Sequence, residues 1–291
     1  MLLSMTGYGK ASFEYAGKKT TIEIKSLNSK AMDISTRIPF SYREKDVELR
    51  NILSQHIIHG KVDFVITVDD IAAKSAVQIN VNLMDKYREQ MDIASQTLGI
   101  ALPDNMMEVL LRMPDVMRPE TTTVDEEEWR TLLSCLDEAL ENLDIFRRQE
   151  GAALHSMFTE KLDIIEKLLA EVEPFEGERI EKIKSRLVEN LDKIKEKAAI
   201  DPNRLEQEMI FYLEKLDINE EKVRLRNHIR YFRETMEKEA APGKKLGFIA
   251  QEMGREINTL GSKSNHSEMQ IIVVKMKDQL EQIKEQVLNV L

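Results

Sequence analysis

The sequence has very little cysteine and no long apolar run, and each absence excludes a class of protein. The single cysteine, Cys135, has no partner for an internal disulfide and cannot build a cysteine-rich zinc site. No apolar run approaches the roughly 18 residues that a membrane-spanning helix needs. The opening residues do not have the layout of a signal peptide, so we expect a protein of the reducing cytoplasm with no membrane partner.

Positive charge is also in deficit, since 42 Lys and Arg residues face 52 Asp and Glu residues and the net charge is −10. An acidic balance is unfavourable for nucleic-acid binding, because attraction to phosphate usually dominates the affinity. A local basic strip, or metal ions held by carboxylates, can reverse the field locally, so RNA or DNA binding is not excluded. The chain contains no Walker loop, nucleophile elbow, HExxH motif or dinucleotide fingerprint.

The N-terminal part has the pattern of a mixed α and β domain. Two segments with period-2 alternation flank the turn "AGKK" and predict a β-hairpin. Further along, "AMDISTRIP" predicts an extended segment, "EKDVELRNILSQHII" a helix and "GKVDFVITVDD" a strand. The run "AVQINVN" predicts another strand before a helix from about Leu83, and "NMMEVLLRM" predicts a short helix.

From about Asp125 onward the pattern is helical almost without interruption. A break is expected at Pro174, after which apolar residues repeat at steps of three and four from Ile180 to Ile194. The last helix has a similar apolar seam from Val273 to Val287, and we expect such seams to pair within the chain or to support an oligomer. The composition, with 42% hydrophobic and 32% charged residues, is that of a globular protein, and its 291 residues favour two domains. We therefore predict an α+β fold with an N-terminal domain over residues 1–155, a helical hairpin arm over 156–200 and a helical domain over 201–291.

A late segment, "GKKLGFIAQEMGREINTLGSKSNHSE", separates its apolar and polar residues. At 100° per residue, Phe248, Glu252, Arg255 and Thr259 lie within about 60° of one another on a helix, beside a separate apolar stripe. Such a polar face is either a salt-bridged surface or a functional site.

The preceding helix, "INEEKVRLRNHIRYFRETM", places Glu221, Arg224 and His228 on one shoulder of its apolar stripe. His228 is a metal ligand, a general acid or base, or a histidine that Glu221 satisfies. Carboxylate and imidazole donors from neighbouring helices resemble the metal sites of helical bundles, and without thiolates they suit Mn²⁺ or Mg²⁺. Glu208 is a further candidate on the same grounds.

Two other stretches carry phosphate-binding chemistry. In "NTLGSKSN", Gly261 is expected to end the helix in a left-handed conformation, and the following Ser, Lys and Asn residues suit phosphate or ribose, or form an ordinary polar turn. At the N-terminus, Tyr8 with Lys25, Asn28 and Arg37 could form a strand platform that stacks a base and binds phosphate. Alternatively, the glycines beside Tyr8 mark a bulge at a sheet edge.

Several long motifs occur in one order: "SMTGYG", "EIKSLNSKAMDISTRIP", "RLEQEM", "INEEKVRLRNHIRYF" and "QEMGREINTLGSKSN". In this respect the chain resembles the bacterial YicC/YloC family over essentially its full length. The resemblance implies a cytoplasmic endoribonuclease with a YicC-like N-terminal domain and a helical C-terminal domain. It also implies dependence on a divalent metal, Mn²⁺ more than Mg²⁺, and assembly into a homohexameric ring that admits RNA.

The sequence departs from the family pattern at three positions. His59 replaces the usual Arg before the Gly-Lys-Val strand, Gly247 replaces an Asp, and Gly254 replaces an Asn. The loss of the Asp removes one acid from the C-terminal site, whereas the four predicted metal ligands all match the family: Glu221, His228, Glu252 and Glu256.

The resulting hypothesis is metal-dependent endonucleolytic cleavage of RNA. The predicted catalytic residues are Glu252, Glu256, His228 and Arg255. The predicted RNA-binding residues are Tyr8, Lys25, Asn28, Arg37, Arg224, Thr259, Ser262, Lys263 and Asn265. One alternative is a non-catalytic RNA-binding scaffold that delivers RNA to other nucleases, and another is a structural helical oligomer that binds no nucleic acid.

Overall fold

The computed structural model describes residues 2–29, 31–57, 59–70, 79–117, 124–178 and 214–291, and the isolated positions 181, 182, 185, 189, 207, 210 and 211. The chain is α+β, as predicted, with strands near the N-terminus and long helices after them. It divides into two compact units. The sheet unit comprises Tyr8–Lys25 and Met32–Leu143, and the helical unit comprises Met1–Gly7, Ser26–Ala31 and Asp144–Leu291.

The predicted hairpin is formed by β1 (Gly7–Tyr15) and β2 (Lys18–Leu27). Its two turn residues, Ala16 and Gly17, have φ values of 48° and 77°. A two-residue turn with positive φ at both positions matches the twist of the flanking strands, which explains why the hairpin closes at this point.

The sheet is completed by β3 (Asp33–Arg37) and β4 (Lys61–Asp70), and the strand order is β1-β2-β4-β3. β3 and β4 are parallel, with Asp33 opposite Lys61 and Arg37 opposite Val65. Parallel neighbours need a crossover, and α1 (Asp46–His56) provides it. The extended segment, the helix and the strand that the sequence predicts here are all confirmed.

The core of the sheet unit lies between the sheet, α1 and the first part of the long helix α4 (Glu126–Glu171). β1 contributes a glycine, Gly9, where a Cβ atom would lie 2.0 Å from the carbonyl oxygen of Ala139. The glycine is therefore required by the close approach of β1 to α4, and this contact, rather than a bulge, accounts for it.

Two helices follow the sheet: α2 (Val81–Leu98) and the shorter α3 (Met106–Leu111). Asn80 caps α2 by accepting a hydrogen bond from the backbone N–H of Leu83 at 3.0 Å. The predicted strand "AVQINVN" falls largely on residues outside the described ranges. Its described end is not a strand, because Asn80 caps a helix that already begins at Val81.

α4 is 46 residues long, and residues 173–178 are helical as well. The predicted arm over 156–200 therefore begins inside α4, while its apolar repeat from Ile180 to Ile194 lies outside the described residues. Glu208 lies outside them too. No helix in the described part of the chain is long and apolar enough to cross a membrane.

The helical unit is built on α5 (Asn219–Lys238), α6 (Gly243–Lys263) and α7 (Ser267–Val287), which pack with the second part of α4. The apolar seam expected in the last helix is buried in this core at Val273, Met276, Leu280, Ile283 and Val287. Phe158 of α4 meets Phe232 of α5 edge to face, with ring centroids 5.6 Å apart. The seam of α7 thus pairs within the chain.

Gly261 does not have the predicted role of a left-handed helix end. α6 continues to Lys263, and the described glycines with positive φ are Gly17, Gly60 and Gly99. A Cβ atom at position 261 would lie 2.9 Å from Cγ1 of Val273. The absence of a side chain therefore lets α6 pack closely against α7, and the helix ends two residues later.

Candidate functional site

The predicted C-terminal site residues, except Asn265, lie on two helices that pack together, α5 and α6. Glu221, in the first turn of α5, is 5% exposed. Its Oε1 forms an ion pair with Nζ of Lys263, at the end of α6, at a distance of 2.8 Å. The same ammonium donates to the backbone carbonyl of Asp217 at 2.9 Å. Lys263 therefore joins the end of α6 to the beginning of α5.

A second buried carboxylate, that of Glu256 on α6, is 9% exposed. Its Oε1 lies 3.9 Å from Nη1 of Arg224, one turn after Glu221 on α5. Nη2 of Arg224 also pairs with Glu220 on its own helix. Both buried carboxylates, Glu221 and Glu256, thus face a cation from the neighbouring helix, as burial of a charge requires.

The outer side of α6 carries a more solvated pair. Arg255 donates to Oε1 of Glu252 at 2.7 Å, and their side chains are 73% and 41% exposed. An exposed pair of this kind contributes little to stability, so both side chains can rearrange towards a ligand. We call Glu221, Arg224, Glu252, Arg255, Glu256 and Lys263 the α5–α6 face.

The hydroxyls predicted to bind RNA are used within the helix. Thr259 donates to the carbonyl of Arg255 at 3.0 Å, and Ser262 donates to the carbonyl of Thr259 at 2.8 Å. Each hydroxyl therefore donates to a backbone carbonyl three or four residues earlier on the same helix. Asn265 follows the helix and is exposed, as Ser262 is.

His228 is half-buried on α5. Of the three roles left open by the sequence, the structural one involves Glu221, but Glu221 pairs with Lys263 instead. Among the residues that the structure describes, no three His, Cys, Asp or Glu side chains come together in a group that could hold a metal ion. The four predicted ligands accordingly do not form a complete metal site within the described chain.

One atom nevertheless fits a bound cation. Among the residues that the structure describes, the buried Oε2 of Glu221 has no hydrogen-bond partner, which is unusual for a carboxylate oxygen in a protein interior. Mg²⁺ and similar ions are commonly held by one or two carboxylates, with water and substrate phosphates completing the coordination. Glu221 could therefore supply one ligand to a cation, and water or substrate phosphates would have to supply the others.

The predicted N-terminal binding residues lie on the strands, except Asn28. Nζ of Lys25 on β2 lies 5.8 Å from the ring centroid of Tyr8 on β1, a cation–π arrangement. Glu23 lies beside them, and its hydrogen bond from Lys10 holds the pKa of its carboxyl below the usual value. Arg37 is exposed at the end of β3.

Asn28 has a structural contact, because its Nδ2 donates to the carbonyl of Leu288 at 2.5 Å in the helical unit. Another polar contact in that unit was not predicted from the sequence. Arg147 is 4% exposed, donates from Nη2 to Oγ of Ser26 at 2.8 Å, and burial lowers the pKa of its guanidinium. Nothing in the local sequence signals this, since Arg147 lies on a helix among other charged residues.

Comparison with known proteins identifies the class of protein that carries these two units. The family described as "Endoribonuclease YicC-like, N-terminal region" matches residues 2–156, and "Endoribonuclease YicC-like, C-terminal" matches residues 172–291. The α5–α6 face lies in the second match. The chain therefore belongs to the YicC-like endoribonuclease family, as its motifs predicted.

Two curated relatives match the chain from end to end. The chain is 31% identical to the "Probable endoribonuclease YicC" of Clostridioides difficile, with 100% of both chains covered. It is 27% identical to the protein of the same name from Haemophilus influenzae, with 99% of both chains covered.

Proposed function

We propose that the protein is an endoribonuclease that cleaves phosphodiester bonds of RNA at the α5–α6 face with the help of a divalent metal ion. The observation that carries the proposal is the set of carboxylates and cations on this face, in the part of the chain matched by the C-terminal endoribonuclease family. The names of two full-length relatives support the same activity.

The cations of the face are suited to RNA phosphates. Arg224 and Arg255 are guanidinium donors, which can bind two phosphate oxygens at once. In the protein alone each of them pairs with a carboxylate, Arg224 with Glu220 and Arg255 with Glu252. RNA phosphates would compete for these guanidinium groups. The carboxylate of Glu252, once separated from Arg255, would then be available to orient the nucleophile or to bind the metal ion.

Proton transfer has two candidate groups. Glu256 is buried beside Arg224, and His228 is half-buried on α5. An imidazole can act as a general base or a general acid, so His228 could take a proton from the attacking hydroxyl or give one to the leaving oxygen. Glu252 and Glu256 are proposed as the carboxylates that orient the nucleophile.

The metal ion would be held by carboxylates of this face, with Glu252, Glu256, Glu221 and His228 as the proposed ligands and Mn²⁺ preferred over Mg²⁺. When bound, such an ion polarises the scissile phosphate and lowers the pKa of a coordinated water. Because the described residues do not form a three-ligand group, RNA phosphate oxygens would have to supply part of the coordination. The homohexameric assembly and the cytoplasmic location remain proposals from the family resemblance.

The test uses purified protein and a labelled RNA, with Mn²⁺, with Mg²⁺ and with EDTA. We expect internal cleavage with Mn²⁺ and none with EDTA. Mapping the 3′ ends of the products then identifies the nucleophile, since a 2′,3′-cyclic phosphate indicates attack by the ribose hydroxyl rather than by water. Cleavage that is equally fast in EDTA would remove the metal from the proposal.

A non-catalytic RNA-binding scaffold is the second candidate. It is favoured by the incomplete ligand group among the described residues and by Gly247, which stands where the family has an Asp. A scaffold would retain RNA in a filter-binding assay but leave it intact in Mn²⁺. Absence of both binding and cleavage would instead favour a structural oligomer.

A further inference from the structure

Glu221 already holds a cation of the protein itself. Its side chain is 7% exposed, and that of Lys263 is 25% exposed, so their 2.8 Å contact is shielded from water on the carboxylate side. The two residues lie on different helices. A buried ion pair of this kind neutralises the carboxylate in the protein without RNA.

The second oxygen of the same carboxylate is the buried Oε2, which has no hydrogen-bond partner within the described part of the chain. A carboxylate can accept several hydrogen bonds, and leaving one oxygen unsatisfied in the interior is costly. The unsatisfied oxygen indicates that the position is built for a partner additional to Lys263. Only a donor or a cation can serve, because the oxygen of a carboxylate is an acceptor.

A divalent cation on Glu221 would lie close to the ammonium of Lys263. Like charges repel strongly in a poorly solvated environment, and one carboxylate cannot neutralise both cations. We infer that Lys263 and a divalent metal ion compete for Glu221, so that Lys263 must leave the carboxylate when the metal binds. The inference rests on the proposed function and assigns Lys263 a regulatory role at the same site instead of phosphate binding alone.

Competition couples the metal to the substrate. Without RNA, Lys263 keeps the affinity of Glu221 for a dication low. Bound RNA brings phosphate oxygens, which add negative charge for the metal and a new partner for the displaced ammonium. By linkage, RNA then raises the affinity for Mn²⁺, and Mn²⁺ raises the affinity for RNA by the same factor.

The test is a Mn²⁺ titration of the full-length protein, without RNA, followed by electron paramagnetic resonance. We expect Lys263→Gln to bind Mn²⁺ at least about tenfold more tightly than the wild type, because the competing charge is gone. Lys263→Arg keeps the charge and should bind as weakly as the wild type. Adding Glu221→Gln to Lys263→Gln should abolish the increase in Mn²⁺ affinity. That result would assign the increase to the carboxylate of Glu221.

The matched control is Lys238→Gln, which removes a charge from the ion pair with Glu234 at 3.2 Å on the surface of α5. This variant should leave the Mn²⁺ affinity unchanged. Weaker binding in Lys263→Gln would overturn the inference and would mean that Lys263 orients Glu221 for the metal. Unchanged binding would overturn it too, and would mean that Glu221 is not a ligand.

A measurement on the wild-type side chains covers the case in which Lys263→Gln does not fold. Lysines are dimethylated with ¹³C-formaldehyde, and the resonance of Lys263 is assigned by its loss in Lys263→Arg. Saturating Mg²⁺ should shift this resonance and leave that of Lys238 in place, whereas a stationary Lys263 resonance would contradict competition. These outcomes are independent of cleavage, so RNA cleavage without any Lys263 effect would reject the inference and keep the proposed function.

Discussion

At the scale of single residues, burial separates the carboxylates of the α5–α6 face into two kinds. Glu221 and Glu256 are buried and face Lys263 and Arg224, whereas Glu252 is more exposed and pairs within its own helix. A buried carboxylate needs a compensating charge to remain ionised, but an exposed one does not. Substitutions of the two buried residues will therefore affect stability as well as chemistry.

Gly247 offers a direct test of the missing family acid. A Cβ atom at this helical position would meet only Cγ1 of Val287, at 3.7 Å, so a side chain fits. We expect Gly247→Ala to raise the free energy of unfolding by about 1 kcal/mol, because glycine is unfavourable in a helix interior. Gly247→Asp should in addition increase RNA cleavage at limiting Mn²⁺. Equal cleavage rates for the Ala and Asp variants would show that the acid is not needed.

Cys135 is a buried thiol, and burial raises its pKa to about 11. Only the thiolate is nucleophilic, so alkylation of the folded protein by iodoacetamide at pH 8 should be slow. Because folding raises the pKa of Cys135, its neutral thiol contributes to the free energy of unfolding. This contribution is complete below the unfolded pKa near 9 and is lost as the pH rises through about 11. Fast alkylation at pH 8 in the absence of denaturant would show that Cys135 is accessible.

At the scale of secondary structure, the sequence predicts best where the periodicity is local. The hairpin β1–β2, the crossover helix α1 and the seam of α7 follow from alternation and three- or four-residue spacing. The role of Gly261 could not be predicted, because a glycine near a helix end has the same local signal whether it caps the helix or admits a neighbour. Only the packing of α7 distinguishes the two roles.

The α6–α7 contact predicts a stability effect of opposite sign to that at Gly247. A Cβ atom at position 261 would lie 2.9 Å from Val273 Cγ1, and the branched side chain of Val273 is itself buried. We therefore expect Gly261→Ala to lower the free energy of unfolding by about 1–2 kcal/mol through overpacking. Urea unfolding of both glycine variants measures the contrast. A stabilised Gly261→Ala variant would mean that α7 moves away at little cost.

The candidate site was predictable only in part for the same reason. Spacing on one helix places Glu252 and Arg255 together, and their ion pair follows. Contacts between helices are not encoded by spacing, so neither the pairing of Glu221 with Lys263 nor that of Glu256 with Arg224 could be derived from the sequence. The buried Arg147 was missed because its partner, Ser26, is distant in the chain.

At the scale of the whole molecule, the proposed function requires an acidic chain to bind an acidic polymer. The net charge is −10, so favourable contacts to RNA have to come from local groups of cations. Tyr8, Lys25 and Arg37 belong to the sheet unit, whereas the α5–α6 face belongs to the helical unit. We predict that the N-terminal residues Tyr8, Lys25 and Arg37 bind RNA in addition to the α5–α6 face.

This prediction is tested by replacing Lys25 and Arg37 together with alanine. RNA affinity should fall, and its dependence on salt should flatten by about 0.7 in slope for each phosphate of a single strand that the variant no longer binds. The control replaces two exposed lysines at other positions, Lys19 and Lys277, with alanine. Light scattering checks that the molecular mass in solution is unchanged. Equal slopes for the two double variants would show that the N-terminal motif has a structural role.

The most direct test of the account is cleavage of a labelled RNA by Glu252→Gln and Glu256→Gln at limiting Mn²⁺. The matched controls are Glu234→Gln and Glu281→Gln, which neutralise helix carboxylates paired with lysines elsewhere in the same unit. Circular dichroism confirms that each variant is folded. We predict that both α6 variants lose cleavage by roughly 100-fold or more while the controls cut at the wild-type rate. Wild-type cleavage by folded Glu252→Gln and Glu256→Gln would contradict it.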